Sequence, residues 1–449
     1  MSSNARKTTS RKNNKKLSQF EKSNIKLSKK TEKDKNTSNV KKNDSNENNI
    51  KIKPKQTEHK FWDKKPVTRS EKIIPASEQI FSDLKEVPTY NKQEPLRLPT
   101  GMSWGEGFEG DEEYVKDVSD FLSLHHSVGL SNSFKVNYTP EYVKWVLGKE
   151  PYMITIRSDK NNAICGTICG SIESMTVFDK TELFVVVKFI CAHPLYHKKN
   201  IAQILIDEMT RRGVLAGYQM GSFVTDRCVP TPVTTMRCYR RPINYTNLYE
   251  SGFTNMGKKF EEDKQQFEIS DDQPSNYKKI MTEDLEDVHN LYCKYMTKFN
   301  IHTSYTKNQI GDLLLNIPFV ESYTIRDEND KIIDFVSYYK VNYTYKENII
   351  NTSNLFLHSC NDTDLLNTFE DLFKIMKQDN VDIFNVMDIM EVGSVILSKI
   401  YEDGNLSDDE DHGKMYETKF LRGNIKLYLN FFNWQCPDIS SKQLSWYVY

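Results

Sequence analysis

Hydrophobic and polar positions follow the same order of patterns twice along the chain. The first copy predicts a strand, a polar turn and two further strands, at 152–157, 158–162, 163–173 and 183–191. The second copy predicts the same elements at 320–326, 327–330, 332–341 and 355–358. An amphipathic helix follows each set, after Asn200, which is placed to cap it, and over 364–377. The repeated order predicts a duplicated α/β unit.

The segment before the first copy is predicted to contain an extended arm and two helices. Five prolines punctuate the arm and disfavour helix there: Pro66, Pro75, Pro88, Pro95 and Pro99. The helices are expected over 113–124 and 140–147, and the second has Thr139 as its cap and Pro140 at its first position. We expect the arm to lie on the core.

Composition separates the first 57 residues from the rest of the chain. They contain 17 Lys and Arg against 5 Asp and Glu, and Phe20 is their single aromatic residue. The remaining residues contain 44 Lys and Arg against 57 Asp and Glu. Residues 1–57 cannot bury enough apolar surface to offset the entropy of ordering, so we expect a disordered basic segment. It is either a solvated linker or a contact for a polyanion such as RNA, a ribosome or an acidic membrane.

Length and composition limit the class of protein. The chain of 449 residues contains 38% hydrophobic residues, which is enough for two packed domains. Its best apolar stretch, 183–195, is interrupted by Lys188 and His193, and no secretory signal follows Met1. Eight cysteines are too few for a disulfide scaffold. We therefore expect a soluble, cytoplasmic protein without a membrane-spanning segment.

A short basic loop joins the third predicted strand of the first copy to its helix. His197, Lys198 and Lys199 precede Asn200, and the free N–H groups and positive end of the helix face the same ligand space. This arrangement can bind a diphosphate. It resembles the acyl-CoA site of the N-acetyltransferase superfamily, in which Gly usually stands in place of Asn200. A solvated helix start is the alternative.

Eight segments of the body occur in an order and spacing typical of one enzyme family. They are HKFW at 59–62, LPTGMSW at 98–104, YTPEY at 138–142, FICAH at 189–193, IDEMTRR at 206–212, PTPV at 230–233, DFVSYY at 334–339 and NWQCP at 433–437. Together they resemble the glycylpeptide N-tetradecanoyltransferase, or N-myristoyltransferase, family. The resemblance covers the chain from His59 to its last residue and excludes the basic segment.

The resemblance implies an α/β fold of two pseudo-symmetric, acetyltransferase-like (GNAT-like) halves, with mixed sheets flanked by helices. We expect residues 58–270 to bind myristoyl-CoA and residues 271–449 to form most of the peptide groove. The residues expected to contact CoA all lie in the first half: His59, Lys60, Phe61, Trp62, Cys191, Ala192, His197, Lys198, Lys199, Asn200, Ile201 and Ala202. Packing in the core is the alternative for Phe61 and Trp62.

The implied reaction transfers myristate from myristoyl-CoA to the amine of an N-terminal glycine. The family pattern assigns the oxyanion site to the backbone N–H groups of Phe189 and Ile190, at a bulge in the strand. It assigns the general base to the carboxylate of the last residue, Tyr449, which ends an apolar and aromatic tail. Myristoyl-CoA is then a co-substrate, and no metal or permanently bound cofactor is expected.

The chain departs from the family pattern around this site. Lys188 stands where Asn is usual, 224–226 read Val-Thr-Asp instead of Thr-Ala-Gly, and Asn424 replaces the Asp of a Gly-Asp-Gly segment. An acidic loop of the family is replaced at 128–131, and an acidic insertion at 402–411 has no counterpart. We therefore expect a peptide selectivity that differs from that of the family, with less preference for basic residues.

Three functions are compatible with these observations. An active cytoplasmic N-myristoyltransferase would act as a monomer on nascent proteins that begin with glycine, and residues 1–57 would hold it near ribosomes. A non-catalytic homologue would bind acyl-CoA or acylated peptides, and Lys188 with the lost acidic loop motivates this alternative. An acyltransferase with another acyl length or with lysine acceptors is the third. The apolar tail favours an enzyme.

Overall fold

A computed structural model describes residues 60–68, 79–105, 111–126, 134–149, 151–229, 231–254, 260–397 and 418–446. The side chains of His197 and Asn424 lie outside this description. The same holds for the basic segment 1–57, His59, the loop 128–131, the acidic insertion 402–411 and Tyr449. In the part of the chain that is described, no helix is long and apolar enough to cross a membrane.

Strands and helices alternate through most of the described residues. The strands are β1 (Gln79–Ile80), β2 (Met102–Gly105), β3 (Phe134–Val136), β4 (Tyr152–Ser158), β5 (Ile164–Val177), β6 (Lys180–Ala192), β7 (Gly221–Thr225), β8 (Thr234–Pro242), β9 (Tyr277–Lys279), β10 (Ile301–Thr303), β11 (Val320–Arg326), β12 (Ile332–Tyr345), β13 (Asn348–His358), β14 (Ile383–Met387), β15 (Leu421–Phe432), β16 (Trp434–Gln435) and β17 (Leu444–Ser445). The α-helices are α1 (Glu112–His125), α2 (Pro140–Leu147), α3 (Ile201–Leu215), α4 (Tyr245–Glu250), α5 (Phe260–Gln266), α6 (Leu285–Met296), α7 (Lys307–Leu314), α8 (Leu365–Gln378) and α9 (Val392–Leu397). Short 3₁₀ helices occupy Trp62–Lys64, Leu84–Glu86, Pro194–Lys199, Thr282–Asp284 and Ser441–Gln443.

The order strand, strand, strand, helix occurs twice, as the sequence predicts, and the structure adds one more strand after each helix. β4, β5 and β6 begin at 152, 164 and 180, and β11, β12 and β13 begin 168 residues later, at 320, 332 and 348. α3 and β7 complete the first copy, and α8 and β14 complete the second. In both copies the third strand pairs in parallel with the last, 185–187 with 221–223 and 352–354 with 383–385. The expected fold of two similar α/β halves is confirmed.

The two copies share one sheet because each gives a strand to the other. β8, which follows β7, crosses to pair antiparallel with β14 of the second copy. β15, which follows α9, returns to pair antiparallel with β7 of the first copy. β15 and β8 also pair with each other, so the central order is β7-β15-β8-β14. The sheet of each copy is therefore extended by a strand that follows the other copy in the sequence.

Aromatic side chains join α2 to the second copy. The ring centroid of Trp145 lies 5.4 Å from that of Tyr339 and 5.1 Å from that of Phe356. All three side chains are buried. Burying a large apolar side chain contributes roughly 2 kcal/mol or more to stability, so this cluster fixes α2 on the second copy.

Local side-chain chemistry sets where α1 and α2 begin. Asp111 Oδ1 accepts the backbone N–H of Tyr114 at 3.0 Å, and Thr139 Oγ1 accepts that of Tyr142 at 3.2 Å. Pro140 occupies the first position of α2, where a missing N–H leaves no intrahelical bond unmade. Both helices begin and end within one residue of their predicted bounds.

Residues 92–96 of the proline-rich arm lie on α3, in keeping with the expectation that the arm lies on the core. Glu208 of this helix is buried and accepts the backbone N–H of Leu96 at 3.1 Å. Arg211 donates to the carbonyl oxygens of Lys92 and Gln93 at 2.8 and 3.0 Å, and it pairs with Glu208 at 2.7 Å. The backbone of the arm is therefore fixed over the helix that follows the basic loop.

Candidate active site

A β-bulge interrupts β6 at Lys188. In the antiparallel pairing with β5, Cys169 faces Phe189 and Gly170 faces Val187, so Lys188 is the extra residue. Gly170 permits the close approach of the two strands, because a Cβ atom at this position would lie 2.4 Å from the carbonyl oxygen of Val186. The structure thus has a bulge immediately before Phe189.

β6 and β7 separate where the bulge begins. Their parallel pairing ends with Val187 opposite Phe223, and beyond this point β6 pairs with β5 alone among the strands described. Beyond the bulge, alternate residues direct their backbone N–H and C=O groups toward the gap between β6 and β7. The N–H of His193 donates to the carbonyl oxygen of Cys165 on β5, so by alternation Ile190 and Ala192 face the gap and Phe189 faces β5. Phe189 and Ile190 lie in this stretch, where the sequence analysis expects the oxyanion site.

The carboxy-terminal tail leads to the bulge. β17 pairs in parallel with β10, and the N–H of Met390 donates to the carbonyl oxygens of Ser441 and Leu444 at 3.2 Å. Trp446, the last residue described, is 4% exposed, and Lys188 Nζ lies 5.8 Å from its ring centroid.

The predicted basic loop joins β6 to α3. His193 Nδ1 accepts the N–H of Leu195 at 3.2 Å, and the 3₁₀ helix that follows carries the exposed Lys198 and Lys199. Asn200 connects this helix to α3 with a left-handed φ of 57°, and its side chain makes no capping hydrogen bond. The prediction that Asn200 caps α3 is wrong, because a capping side chain acts from an extended backbone.

Cys191 and Ile201 face the protein interior with their side chains. Both are buried, and Ile201 packs against Leu205. Burial raises the pKa of the Cys191 thiol to about 12, so the thiol is neutral at pH 7 and unsuited to nucleophilic attack.

In the second copy, the loop between β13 and α8 already binds a carboxylate of the protein itself. The fully buried Asp334 accepts the backbone N–H groups of Asn361, Asp362 and Thr363 at 2.9 Å each. The residue 168 positions earlier, Gly166, carries no side chain, and a Cβ there would lie 2.5 Å from the Ile201 side chain. Of the two loops, the first is therefore the one suited to an external anion.

Two family models match the chain and together cover more than half of it. The model described as Myristoyl-CoA:protein N-myristoyltransferase, N-terminal domain, matches residues 82–236. The model of the C-terminal domain of the same family matches residues 250–445. The chain belongs to the N-myristoyltransferase family.

Individual family members are similar over most of their length. Glycylpeptide N-tetradecanoyltransferase 2 of Bos taurus is 23% identical over 398 residues, which make up 86% of this chain and 75% of the relative. Glycylpeptide N-tetradecanoyltransferase of Plasmodium falciparum is 26% identical over 394 residues, 85% of this chain and 91% of the relative. The crystal structure of Saccharomyces cerevisiae N-myristoyltransferase with bound myristoyl-CoA aligns with a TM-score of 0.74 and 21% identity, covering 85% of this chain and 94% of that one. This likeness establishes a common fold.

The Lys-Phe-Trp segment of the N-myristoyltransferase pattern lies against β7. Trp62 stacks on Phe223 with ring centroids 5.1 Å apart and 9° between the ring planes, and Phe61 lies edge-on to Trp62 at 5.0 Å. Lys60 is exposed. Phe223 is the last β7 residue that pairs with β6, so this aromatic stack lies beside the gap. Trp62 is half-buried in this stack, and CoA contact by 60–62 stays a prediction.

Two side chains next to Phe189 are not among the predicted site residues. His126 Nδ1 lies 2.7 Å from Tyr138 Oη, and the two rings lie 6.0 and 5.4 Å from that of Phe189. Burial lowers the pKa of His126 to about 4, with Asp226 opposing the shift, so the ring is neutral at pH 7. Tyr138 belongs to a family segment, whereas no sequence signal marks His126.

Proposed function

We propose that the protein transfers myristate from myristoyl-CoA to the amino group of an N-terminal glycine. The relatives named above are glycylpeptide N-tetradecanoyltransferases, and the yeast structure of the same fold contains myristoyl-CoA. The observation that carries the proposal is the bulge at Lys188, which coincides with the separation of β6 and β7 and directs backbone groups into the gap. The protein is then an acyltransferase with myristoyl-CoA as its co-substrate.

The backbone of β6 supplies the oxyanion site in this mechanism. A thioester is already activated, and its carbonyl oxygen gains negative charge as the amine attacks. The N–H of Ile190, which alternation directs into the gap, donates to that oxygen, and the family pattern assigns the N–H of Phe189, next to the bulge, as the second donor. Each such fixed donor contributes roughly 3 kcal/mol of transition-state stabilisation. Backbone donors need no titratable side chain, which fits the neutral Cys191 in the same strand.

The carboxylate of Tyr449 acts as the general base. An α-amino group has a pKa of about 8, so most glycine amines carry a proton at pH 7 and must lose it before they attack. Burial disfavours the charged form of a carboxylate and makes it a better proton acceptor than one in water. The buried Trp446 supports this assignment, because it draws the tail into the interior three residues before its end.

Residues 58–270 bind myristoyl-CoA, and residues 271–449 form most of the peptide groove. In the first half, the diphosphate is held by the loop from His197 to Ala202, with Lys198 and Lys199 as cationic donors. In the second half, the N–H groups of the equivalent loop already bind the Asp334 carboxylate, which supports assigning the diphosphate to the first half. His59 to Trp62 lie along the CoA. We further infer a cytoplasmic monomer whose basic residues 1–57 contact a polyanion such as the ribosome.

Turnover is expected with peptides that begin with glycine and not with the same peptides beginning with alanine. A methyl group on the first residue would collide with the narrow gap that admits the amine. The measurement is CoA release by the purified protein with myristoyl-CoA and a matched Gly and Ala peptide library. Tight binding of myristoyl-CoA without turnover would instead establish the non-catalytic alternative. A panel of acyl-CoA lengths and a lysine-containing peptide test the third function.

Replacing Lys198 and Lys199 together by glutamine is expected to weaken myristoyl-CoA binding about tenfold at low salt, with a smaller effect at high salt. Two exposed ammonium groups near a diphosphate act mainly through long-range attraction, which salt screens. The measurement is the Kd for myristoyl-CoA at two ionic strengths. Lys331→Gln, in the exposed turn before β12, is the control. Equal Kd values for the double variant and the control would show that the loop does not contribute to myristoyl-CoA binding.

A further inference from the structure

Lys188 and Glu173 form a buried ion pair beside the bulge. Lys188 Nζ lies 2.6 Å from Glu173 Oε1, and the two side chains are 5% and 12% exposed. Ser171 Oγ donates to the same carboxylate oxygen at 3.1 Å. Because desolvating two charges is costly, a buried pair persists only where its geometry is well fixed. Glu173 therefore sets the direction in which the Lys188 ammonium extends.

The same ammonium lies over the ring of Trp446. The distance from Nζ to the ring centroid is 5.8 Å, within the range of a cation–π contact, and the ring is buried. Before Trp446 the tail is held by strand pairing with β10 and by the N–H of Met390. Lys188 thus contacts the last described side chain before the chain terminus.

We propose that the Glu173–Lys188 pair positions the carboxy-terminal tail against the β6 bulge. Glu173 orients the ammonium, the ammonium holds the Trp446 ring, and the ring fixes the point from which the final three residues extend. Lys188 is a positioning residue in this account. The inference rests on the proposed function, in which the terminal carboxylate takes the proton of the glycine amine. At position 188 the family pattern has an uncharged Asn, whereas this chain has a lysine that joins Glu173 to Trp446.

Hydrogen exchange measured by mass spectrometry on the full chain tests this link without turnover. In the double variant Lys188→Met, Glu173→Gln, peptides covering 441–449 are expected to exchange about tenfold faster than in the wild type. The double variant removes both charges, so no unpaired charge is left buried to unfold the protein. Lys188→Arg keeps the cation and is expected to restore slow exchange.

Lys279 provides the matched control for a lysine paired with both a carboxylate and a ring. It forms an ion pair with Glu321 and lies 4.3 Å from the Tyr323 ring centroid, but its side chain is 55% exposed. Lys279→Met is expected to leave exchange of the tail unchanged. Unchanged exchange in the Lys188/Glu173 double variant would overturn the proposal. Equal acceleration in all peptides would also overturn it, because the pair would then support the whole fold and not the tail.

Kinetics separate this inference from the proposed function. The double variant is expected to lower kcat about tenfold with the Kd for myristoyl-CoA unchanged, and Lys188→Arg to recover most of kcat. A wild-type protein without turnover on glycine peptides would refute the proposed function, while the exchange comparison would still decide whether Lys188 holds the tail. Faster tail exchange with an unaltered kcat would refute the link between tail position and catalysis.

Discussion

Extending the chain by two glycines after Tyr449 is expected to lower kcat about 100-fold or more, with the affinity for myristoyl-CoA unchanged. The added residues move the negative charge away from the place set by the buried Trp446 and put an uncharged peptide group there. Without a base, only glycine amines that lose their proton spontaneously can attack. Residual turnover should therefore rise with pH as the amine titrates near a pKa of about 8.

The same two glycines added before Met1 serve as the control, and this variant should match the wild type. Single-turnover measurements with bound myristoyl-CoA isolate the chemical step from acyl-CoA binding. An extended tail with wild-type kcat would exclude the terminal carboxylate as the base. A loss of myristoyl-CoA affinity equal to the loss of turnover would show that the tail acts on binding.

Replacing Gly170 by alanine is expected to lower kcat about 100-fold, because it displaces the bulge next to the proposed oxyanion donors, the N–H groups of Phe189 and Ile190. The new Cβ would lie 2.4 Å from the carbonyl oxygen of Val186 and 3.3 Å from the Cα of Val187. Both contacts are with backbone atoms, which cannot rotate away as a side chain can. The strand must therefore shift at the bulge. Such overpacking costs roughly 1–3 kcal/mol of stability.

Gly221→Ala is the matched control for this substitution. Gly221 lies in β7 on the other side of β6, and its nearest neighbour to a new Cβ would be at 3.4 Å, an ordinary contact distance. We expect this variant to retain wild-type kcat. Steady-state kinetics and thermal unfolding of both variants provide the measurement. If Gly170→Ala retained wild-type kcat, the geometry of the bulge would not be required for the acyl transfer.

The sequence predicts the order of elements in both copies because alternation of apolar and polar residues is a local property. It predicts β11 without error and places β4, β5, β6 and α8 to within a few residues. It misses the first half of β13, whose polar residues bond within the sheet: Thr352 Oγ1 donates to the carbonyl of Val341, and Ser353 Oγ to that of Ile383. Composition alone favours a loop for such a segment.

The positions of β8 and β15 could not be derived from the sequence. Strand patterning shows which residues face a core but not which distant strand lies alongside. β15 pairs with both β7 and β8, which lie about 200 residues earlier in the chain, and nothing local distinguishes this placement from pairing within the second copy.

For the candidate site, the sequence indicates the basic loop at 197–199 and the apolar carboxy-terminal tail. The side-chain contacts around the β6 bulge come from the structure alone. Lys188 is visible as a departure from the family pattern, but its partner Glu173 lies across the β5–β6 hairpin. A one-residue bulge changes which side chains share a face, so regular alternation cannot pair them. The contact between His126 and Tyr138 likewise depends on the path of the chain between α1 and α2.

The exchange of β8 and β15 ties completion of the first half, where acyl-CoA binding is proposed, to the last stage of protein synthesis. Until β15 leaves the ribosome, the edge of β7 lacks the strand that pairs with it in the finished protein. An unpaired edge invites aggregation and is a feature that cellular quality control can recognise. The final segment of the chain thus both closes the first half and carries the proposed base. A chain that ends before β15 therefore lacks both the strand that pairs with β7 and the proposed base.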